Sequence, residues 1–339
     1  MPELKLYTVK DLRDWLENNH PAEGFTEQVI APTRAWAIIH NPYVKDDAIV
    51  AAIFEDGQLA AYTASFPDML DGQRIWWAST LYCYPQFAGR GYGMIVMGSL
   101  MEAHEPDLTY DRWGANETVE IFNHFGYQTT YTLRYHLSDG KIDTSFLKGK
   151  LAYCALGLKK CLHPWPKASK ADYTIQYAST IDDEAYEFMK AHRGNDLWLR
   201  EQDMLNWIIT YPFVKAGEKE TECVFGANAK VYEYKVVKVY VRESLHGVYV
   251  LRMHNDTLSV VYLYYTYEKR DVVFNSIINQ IVALHPKSFV TENPYLFERV
   301  RENLYFSKMH EEKVSLSLPN IKNNIADFTL QLGDGDSFA

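Results

Sequence analysis

No run of eighteen apolar residues occurs anywhere in this 339-residue chain, so no membrane-spanning helix is expected. The opening Met1-Pro2-Glu3-Leu4-Lys5 lacks the charged-then-apolar pattern of an export leader. Cysteine is scarce. Cys83, Cys154, Cys161 and Cys223 make no CxxC pair and no metal spacing with histidine, so they read as reduced thiols of a cytoplasmic protein. The 11 histidines are scattered without an HExxH-like cluster, and no metal is expected. Basic residues are thin in the first part: residues 1–146 hold 10 Lys+Arg against 20 Asp+Glu, while the remainder holds 24 of each. That imbalance argues against a nucleic-acid partner. It fits either an amine-bearing partner or simple solubility.

Apolar residues are plentiful at 47%, and aromatics reach 14% with 25 Tyr. At this length two cores are expected rather than one. In the first part, residues 4–9 alternate like a strand and residues 11–18 and 31–40 read as helices. Strands over 48–54 and 58–65 meet across Glu55-Asp56-Gly57, a hairpin signal. A longer strand over 73–85 precedes a helix over 94–104, a short strand over 108–111, a helix over 116–125 and a closing strand over 127–136. The order is an antiparallel sheet with one parallel β-α-β crossover in its middle.

Residues 148–162 read as a basic apolar helix stopped by Pro164 and Pro166, an interdomain connector rather than a membrane-surface segment. The element order then repeats. Strands are expected over 173–178, 231–242, 247–254, 258–267, 288–291 and 305–308. Helices are expected over 182–191, 199–211, 272–284 and 295–303. The domains expected are therefore 1–146 and 172–318, joined by a linker helix over 147–171 and followed by a tail over 319–339.

The most informative stretch is Tyr84-Pro85-Gln86-Phe87-Ala88-Gly89-Arg90-Gly91-Tyr92-Gly93-Met94, between an apolar strand and an apolar helix. Alternating glycines free the backbone for positive φ and close approach. With the positive end of a helix dipole behind them, the main chain forms a cradle for a pyrophosphate. The corresponding stretch of the second half, Tyr265-Thr266-Tyr267-Glu268-Lys269-Arg270-Asp271, has no glycine and offers no such cradle.

The run from Leu81 to Gly93 resembles the acetyl-CoA loop motif of the GCN5-related N-acetyltransferase (GNAT) family. Asn116-Glu117-Thr118-Val119-Glu120-Ile121-Phe122-Asn123-His124-Phe125-Gly126-Tyr127 resembles that family's second motif, at the spacing expected. The likeness covers residues 1–140 by motif and 172–318 by element order. It implies an α/β (α+β) fold of two tandem GNAT-like domains, each a mixed, mostly antiparallel sheet with a central β-α-β crossover and flanking helices, the second degenerate. It further implies acetyl-CoA as cosubstrate and transfer of an acetyl group to an amine or hydroxyl of a small-molecule or sugar acceptor. Strand groups of Leu81, Tyr82 and Cys83 would pair with the pantetheine arm. Amides of Ala88, Gly89, Arg90, Gly91, Tyr92 and Gly93 would hold the pyrophosphate, and Asn116 would stand beside the cofactor.

The departures from that pattern concern phosphate binding and proton transfer. Ala88 stands where the family usually has Arg or Gln. Phe122, on the cofactor side, stands where many relatives place a tyrosine acid, and has no proton to give. The stretch 75–80 holds no carboxylate to serve as base. Asp111 is the candidate base, or else a turn residue capping the following connection. Tyr84 and Tyr82 are candidate donors, or else packing residues. The acceptor side offers Arg34, Trp36, His40 and Tyr43 without a diagnostic pattern. Tyr232, Tyr234, Tyr240, Tyr249, Tyr262, Tyr264 and Tyr265 either wall the acceptor pocket or pack between domains. The alternative to an enzyme is a protein that binds acyl-CoA without turnover.

Overall fold

The computed structural model describes residues 1–112, 114–139, 172–197, 199–217, 223–225, 229–304, 306–319 and 329–335. The connector expected over 147–171, and the tail over 319–339 apart from 319 and 329–335, lie outside the described residues. Two compact units emerge. Unit 1 comprises Met1–Thr132, Asn195–Lys230 and Val314–Ala339, and unit 2 comprises Leu133–Gly194 and Val231–Lys313. The sequence reading has contiguous domains over 1–146 and 172–318, whereas here each unit is assembled from separated segments.

In unit 1, β1 (Glu3–Thr8), β2 (Ala48–Glu55), β3 (Gln58–Leu70) and β4 (Gln73–Cys83) pair antiparallel in that order. The two hairpins turn at Asp56-Gly57 and Asp71-Gly72, where both central residues have positive φ. That is the type I′ geometry whose twist matches the strands it joins. The crossover helix α3 (Tyr92–Ala103) then returns the chain to β5 (Leu108–Arg112), which runs parallel to β4. Helices α1 (Val9–Asn18), α2 (Pro32–Ile39) and α4 (Asn116–His124) flank the sheet. Small residues Ala51, Ala60 and Ala61 let Val96 and Leu100 of α3 pack close against it.

Unit 2 repeats the plan. β7 (Thr174–Ala178), β8 (Tyr232–Val241), β9 (Ser244–His254) and β10 (Thr257–Tyr265) pair antiparallel, and β11 (Ser288–Thr291) runs parallel to β10. Its helices are α5 (Asp183–Ala191), α7 (Arg270–Leu284) and α8 (Pro294–Asn303); α6 (Gln202–Thr210) belongs to unit 1. Val237, Val239, Tyr249 and Leu251 pack against Phe274, Ile277 and Ile281 of α7. The fold class implied by the sequence, a mixed sheet with one crossover, appears in both units.

The closing strands depart from expectation. The sequence pattern has β6 (Gln128–Ser138) completing the first sheet, yet its residues Tyr135 to Ser138 pair with β11 in unit 2. The last strand, expected only over 305–308, is the eleven-residue β12 (Lys308–Leu318). Its Leu316 and Ser317 pair with Arg112 and Asp111 of β5 in unit 1. Alternation fixes which face a strand buries, and leaves open which edge it joins.

His104, just after α3, is buried, with its ring stacked on Trp76 at 3.6 Å and Nε2 2.8 Å from the Ala48 carbonyl. Burial lowers its pKa to about 4, against a smaller opposing pull from the Ala48 carbonyl. The unfolded chain therefore takes up this proton near pH 6.5, before the folded one does. Stability is predicted to be unaffected by this group above pH 6.5 and to fall by about 3 kcal/mol as pH drops from 6.5 to 4. Urea unfolding at stepped pH checks this, because the gap between wild type and His104→Gln should narrow across that window. A constant gap would refute it.

Candidate functional site

The site begins with an irregularity in β4. Ala64 pairs with Ser79 and Tyr62 with Tyr82, so Thr80 and Leu81 stand opposite the single residue Thr63. Thr80 has φ of +56°, a left-handed conformation that a β-branched residue adopts only under constraint. This bulge bends the strand. The parallel pairing of β4 with β5 ends at Trp77 and Tyr110. Beyond it β5 turns to β12, and a wedge opens between Ala78–Cys83 of β4 and the end of β5.

The wedge holds a cavity of about 460 Å³. Its β4 wall is Ser79, Thr80, Leu81 and Tyr82; its opposite wall is Asp111 and Arg112. Gly114, Ala115 and Thr118 close one end, and Arg34 and Phe225 border another side. Asp111 is a buried strand residue facing this space rather than part of a turn. A Cβ on Gly114 would come within 2.5 Å of its Oδ2, so only glycine leaves room for that carboxylate. Arg34 is buried too; it donates to Ser79 Oγ at 2.5 Å and lies 4.4 Å over the Phe213 ring.

After Cys83 β4 gives way to a 3-10 turn over Pro85–Phe87 and then to the glycine loop. Gly89 and Gly91 have φ of +77° and +76°, and an added Cβ at either would meet nothing within 4 Å. Helix α3 starts at Tyr92, two residues earlier than expected, and no side chain caps it. Its first hydrogen bond runs from the Ile95 N–H to the Gly91 carbonyl, so the amides of Tyr92, Gly93 and Met94 lead the helical ladder. Gly93 serves a different end: its Cα packs toward Ile121 of α4.

Several expected residues stand elsewhere. The Ala88 N–H donates to the Pro85 carbonyl at 3.2 Å, so the supply of outward amides starts at Gly89. The Arg90 guanidinium is engaged by the Glu55 carboxylate, which also accepts from Tyr92 Oη at 3.1 Å. Tyr84 packs with Cys83 against the core formed by α3 and the β2–β3 hairpin, outside the cavity; of the two candidate tyrosines only Tyr82 lines it. Burial pushes the Cys83 thiol pKa up. Phe122 is wholly buried against Ala78 and Met97 and does not line the cavity. Asn116 is the first helical residue of α4 and is exposed, Ala115 being the cap. Trp36 is exposed on α2 and His40 stacks between it and Tyr211. Tyr249 belongs to the core of unit 2, and none of the seven aromatics named in the second half lines this cavity.

Ser79, Thr80, Thr118, Arg112 and Phe225 also line the cavity, and none of them is marked as a site residue by sequence pattern. Ser79 and Thr80 sit in a strand whose alternation gives no sign of a bulge, and Phe225 belongs to a segment read as part of the second domain. Unit 2 has a bulge between Val260 and Tyr262 of β10 as well, but the chain then enters a 3-10 turn over Tyr267–Lys269 with no positive φ before α7.

No protein-family model and no curated protein sequence matches the chain. Solved structures do. A tandem GNAT protein from the clavulanic acid biosynthesis pathway is 12% identical, with 94% of this chain and 98% of that one covered at a TM-score of 0.53. A putative acetyltransferase from Pyrococcus horikoshii is 10% identical, with 96% and 92% covered at 0.53. Saccharomyces cerevisiae N-myristoyltransferase with bound myristoyl-CoA is 9% identical, with 93% and 82% covered at 0.50. At such identities the likeness is one of fold.

Proposed function

We propose that this chain, which has the GNAT fold in tandem arrangement, is an acetyl-CoA-dependent acyltransferase acting from unit 1 on an amine of a small-molecule or amino-sugar acceptor. The observation that carries the reading is the coincidence of a bulged, half-unpaired β4 with an uncapped helix start behind two positive-φ glycines. The β4 edge at Leu81, Tyr82 and Cys83, beyond the end of the pairing with β5, suits an extended amide chain added as a further strand. Amides from Gly89 to Gly93, with the dipole of α3 behind them, suit a diphosphate. Acetyl-CoA, when bound, supplies an acyl group activated on sulfur. In this reading a strand N–H near the Thr80 bulge stabilises the developing oxyanion. Asp111 serves as proton acceptor for the attacking amine, directly or through water, and Tyr82 as donor. The cavity bounded by Arg34 and Phe225 holds the acceptor alongside.

Calorimetric titration with acetyl-CoA tests the first half; release of free thiol across a panel of amines and amino sugars tests the second. Saturable heat and turnover of at least one acceptor are expected. No heat and no thermal shift would sink the proposal. Asp111→Asn is predicted to lower turnover on the order of 100-fold while moving acetyl-CoA affinity less than about threefold. An unchanged rate would remove Asp111 from the chemistry.

The buried Phe122, in place of an acidic tyrosine, favours one other reading: a protein that keeps CoA affinity without transfer. Tight binding with no turnover on any acceptor would decide for it.

A further inference from the structure

The chain's last described stretch, residues 329–335, is built into unit 1 by two buried arginines. Arg112 Nη1 donates to the carbonyls of Gln331 and Asp334 at 2.7 and 2.9 Å. Arg200 donates from Nη1 to the Gly333 carbonyl at 2.7 Å and from Nη2 to the Gly335 carbonyl at 2.6 Å. Its Nε meets Asp68 Oδ2 at 2.7 Å, and the same oxygen accepts from Trp77 Nε1 at 2.8 Å. Asp196 holds the near end through Thr329 and Gln331, and the Gln331 amide closes a turn onto the Asp334 carboxylate. Leu330 and Leu332 are buried.

One end of this network lies in the β5 wall of the wedge and the other at the base of its β4 wall. Trp77 is the last β4 residue paired with β5, immediately before the strand opens. Arg112 lines the cavity itself, next to Asp111. The fit at that wall is close: Gly335 has φ of +75°, and a Cβ there would lie 2.8 Å from Arg112 Cβ and 3.0 Å from its Cδ.

We propose that residues 329–335 are a positioning element of the cavity, a clamp that sets the separation of β4 and β5 through Arg200 and Arg112 without contributing a reacting group. Its bearing on acyl transfer rests on the reading given above. Carbonyl acceptors on both arginines fix two guanidinium planes at once, and a planar donor held at several points moves little. The clamp therefore links the far end of the chain to the shape of a cavity made mainly by its first third.

Three proteins test it: wild type, Gly335→Ala, and a chain ending at residue 328. Hydrogen exchange is followed at 78–83 and 108–112, with 232–241 of unit 2 as control, beside acetyl-CoA titration. Both variants are expected to speed exchange at 78–83 and 108–112 by tenfold or more, leave 232–241 unchanged, and weaken acetyl-CoA about tenfold. A synthetic peptide of 329–339 added to the shortened chain should restore both. Unchanged exchange or unchanged affinity in the shortened chain overturns the clamp, as does equal acceleration at 232–241. A wild type that gives no heat with acetyl-CoA, beside the same exchange pattern, instead refutes the transferase reading and leaves the clamp standing.

Discussion

Acetyl-CoA affinity is expected to fall by roughly 100-fold or more when Gly89 and Gly91 are both replaced by valine. Each glycine has φ near +77°, where a β-branched residue costs roughly 1–2 kcal/mol. The loop is exposed, so in the free protein it relaxes out of that conformation, and the cost falls on binding. Neither new Cβ meets another atom of the chain within 4 Å. The fold is therefore expected to tolerate both changes, and calorimetry should separate lost affinity from a nearly unmoved melting transition. Arg90→Ala provides the contrast. Its guanidinium is engaged by Glu55 and half-exposed, so removing it is expected to change affinity by less than about threefold. A double-valine protein that binds within threefold of wild type would show that the cradle is not main chain at all.

Arg200→Met is expected to cost unit 1 about 3–5 kcal/mol, a large loss for a single substitution. Arg200 and Asp68 are both fully buried, and the substitution leaves a carboxylate in the interior without its cation. Burial already pushes the Asp68 pKa up, with Arg200 the largest counterweight. Once Arg200 is gone the folded form holds the Asp68 proton more tightly still. A carboxyl raised in the folded state stabilises least at high pH, so the loss should be larger at pH 8 than at pH 5. Adding Asp68→Asn should recover part of it, which a double-mutant cycle by urea unfolding would measure. A loss under 1 kcal/mol at pH 8 would mean that the interior there is wetter than the burial indicates.

Much of the fold is legible in local pattern. Asp56-Gly57 announces a hairpin because only residues tolerant of positive φ close a two-residue turn. The apolar face of α3 announces the crossover, and the glycines before it announce a tight, ligand-sized corner. The site is legible only along that corner. Arg90 reads in sequence as a phosphate ligand or a solvated charge, and nothing in the intervening chain records its pairing with Glu55, thirty-five residues earlier. Tyr82 and Tyr84 are indistinguishable in sequence, yet one borders the cavity and the other, half-buried, packs against the core outside it. Arg200 and Arg112 stand in no sequence motif, and their carbonyl partners lie more than a hundred residues away in 331–335.

Sequence by itself determined most of the described elements, their order and the repeated sheet plan, together with a glycine corner in the first copy that the second lacks. These are consequences of backbone freedom and of side-chain periodicity within a few turns of chain. Tertiary structure alone decided that β12 closes the first sheet, that Thr80 bulges, that Asp111 faces the wedge, and that Arg112 takes carbonyls of 331 and 334 as partners. Each of these depends on which distant segment takes a strand edge or satisfies a buried charge. Hydrogen-bonding edges and guanidinium groups accept many partners, so the choice is made by global packing rather than by neighbouring residues.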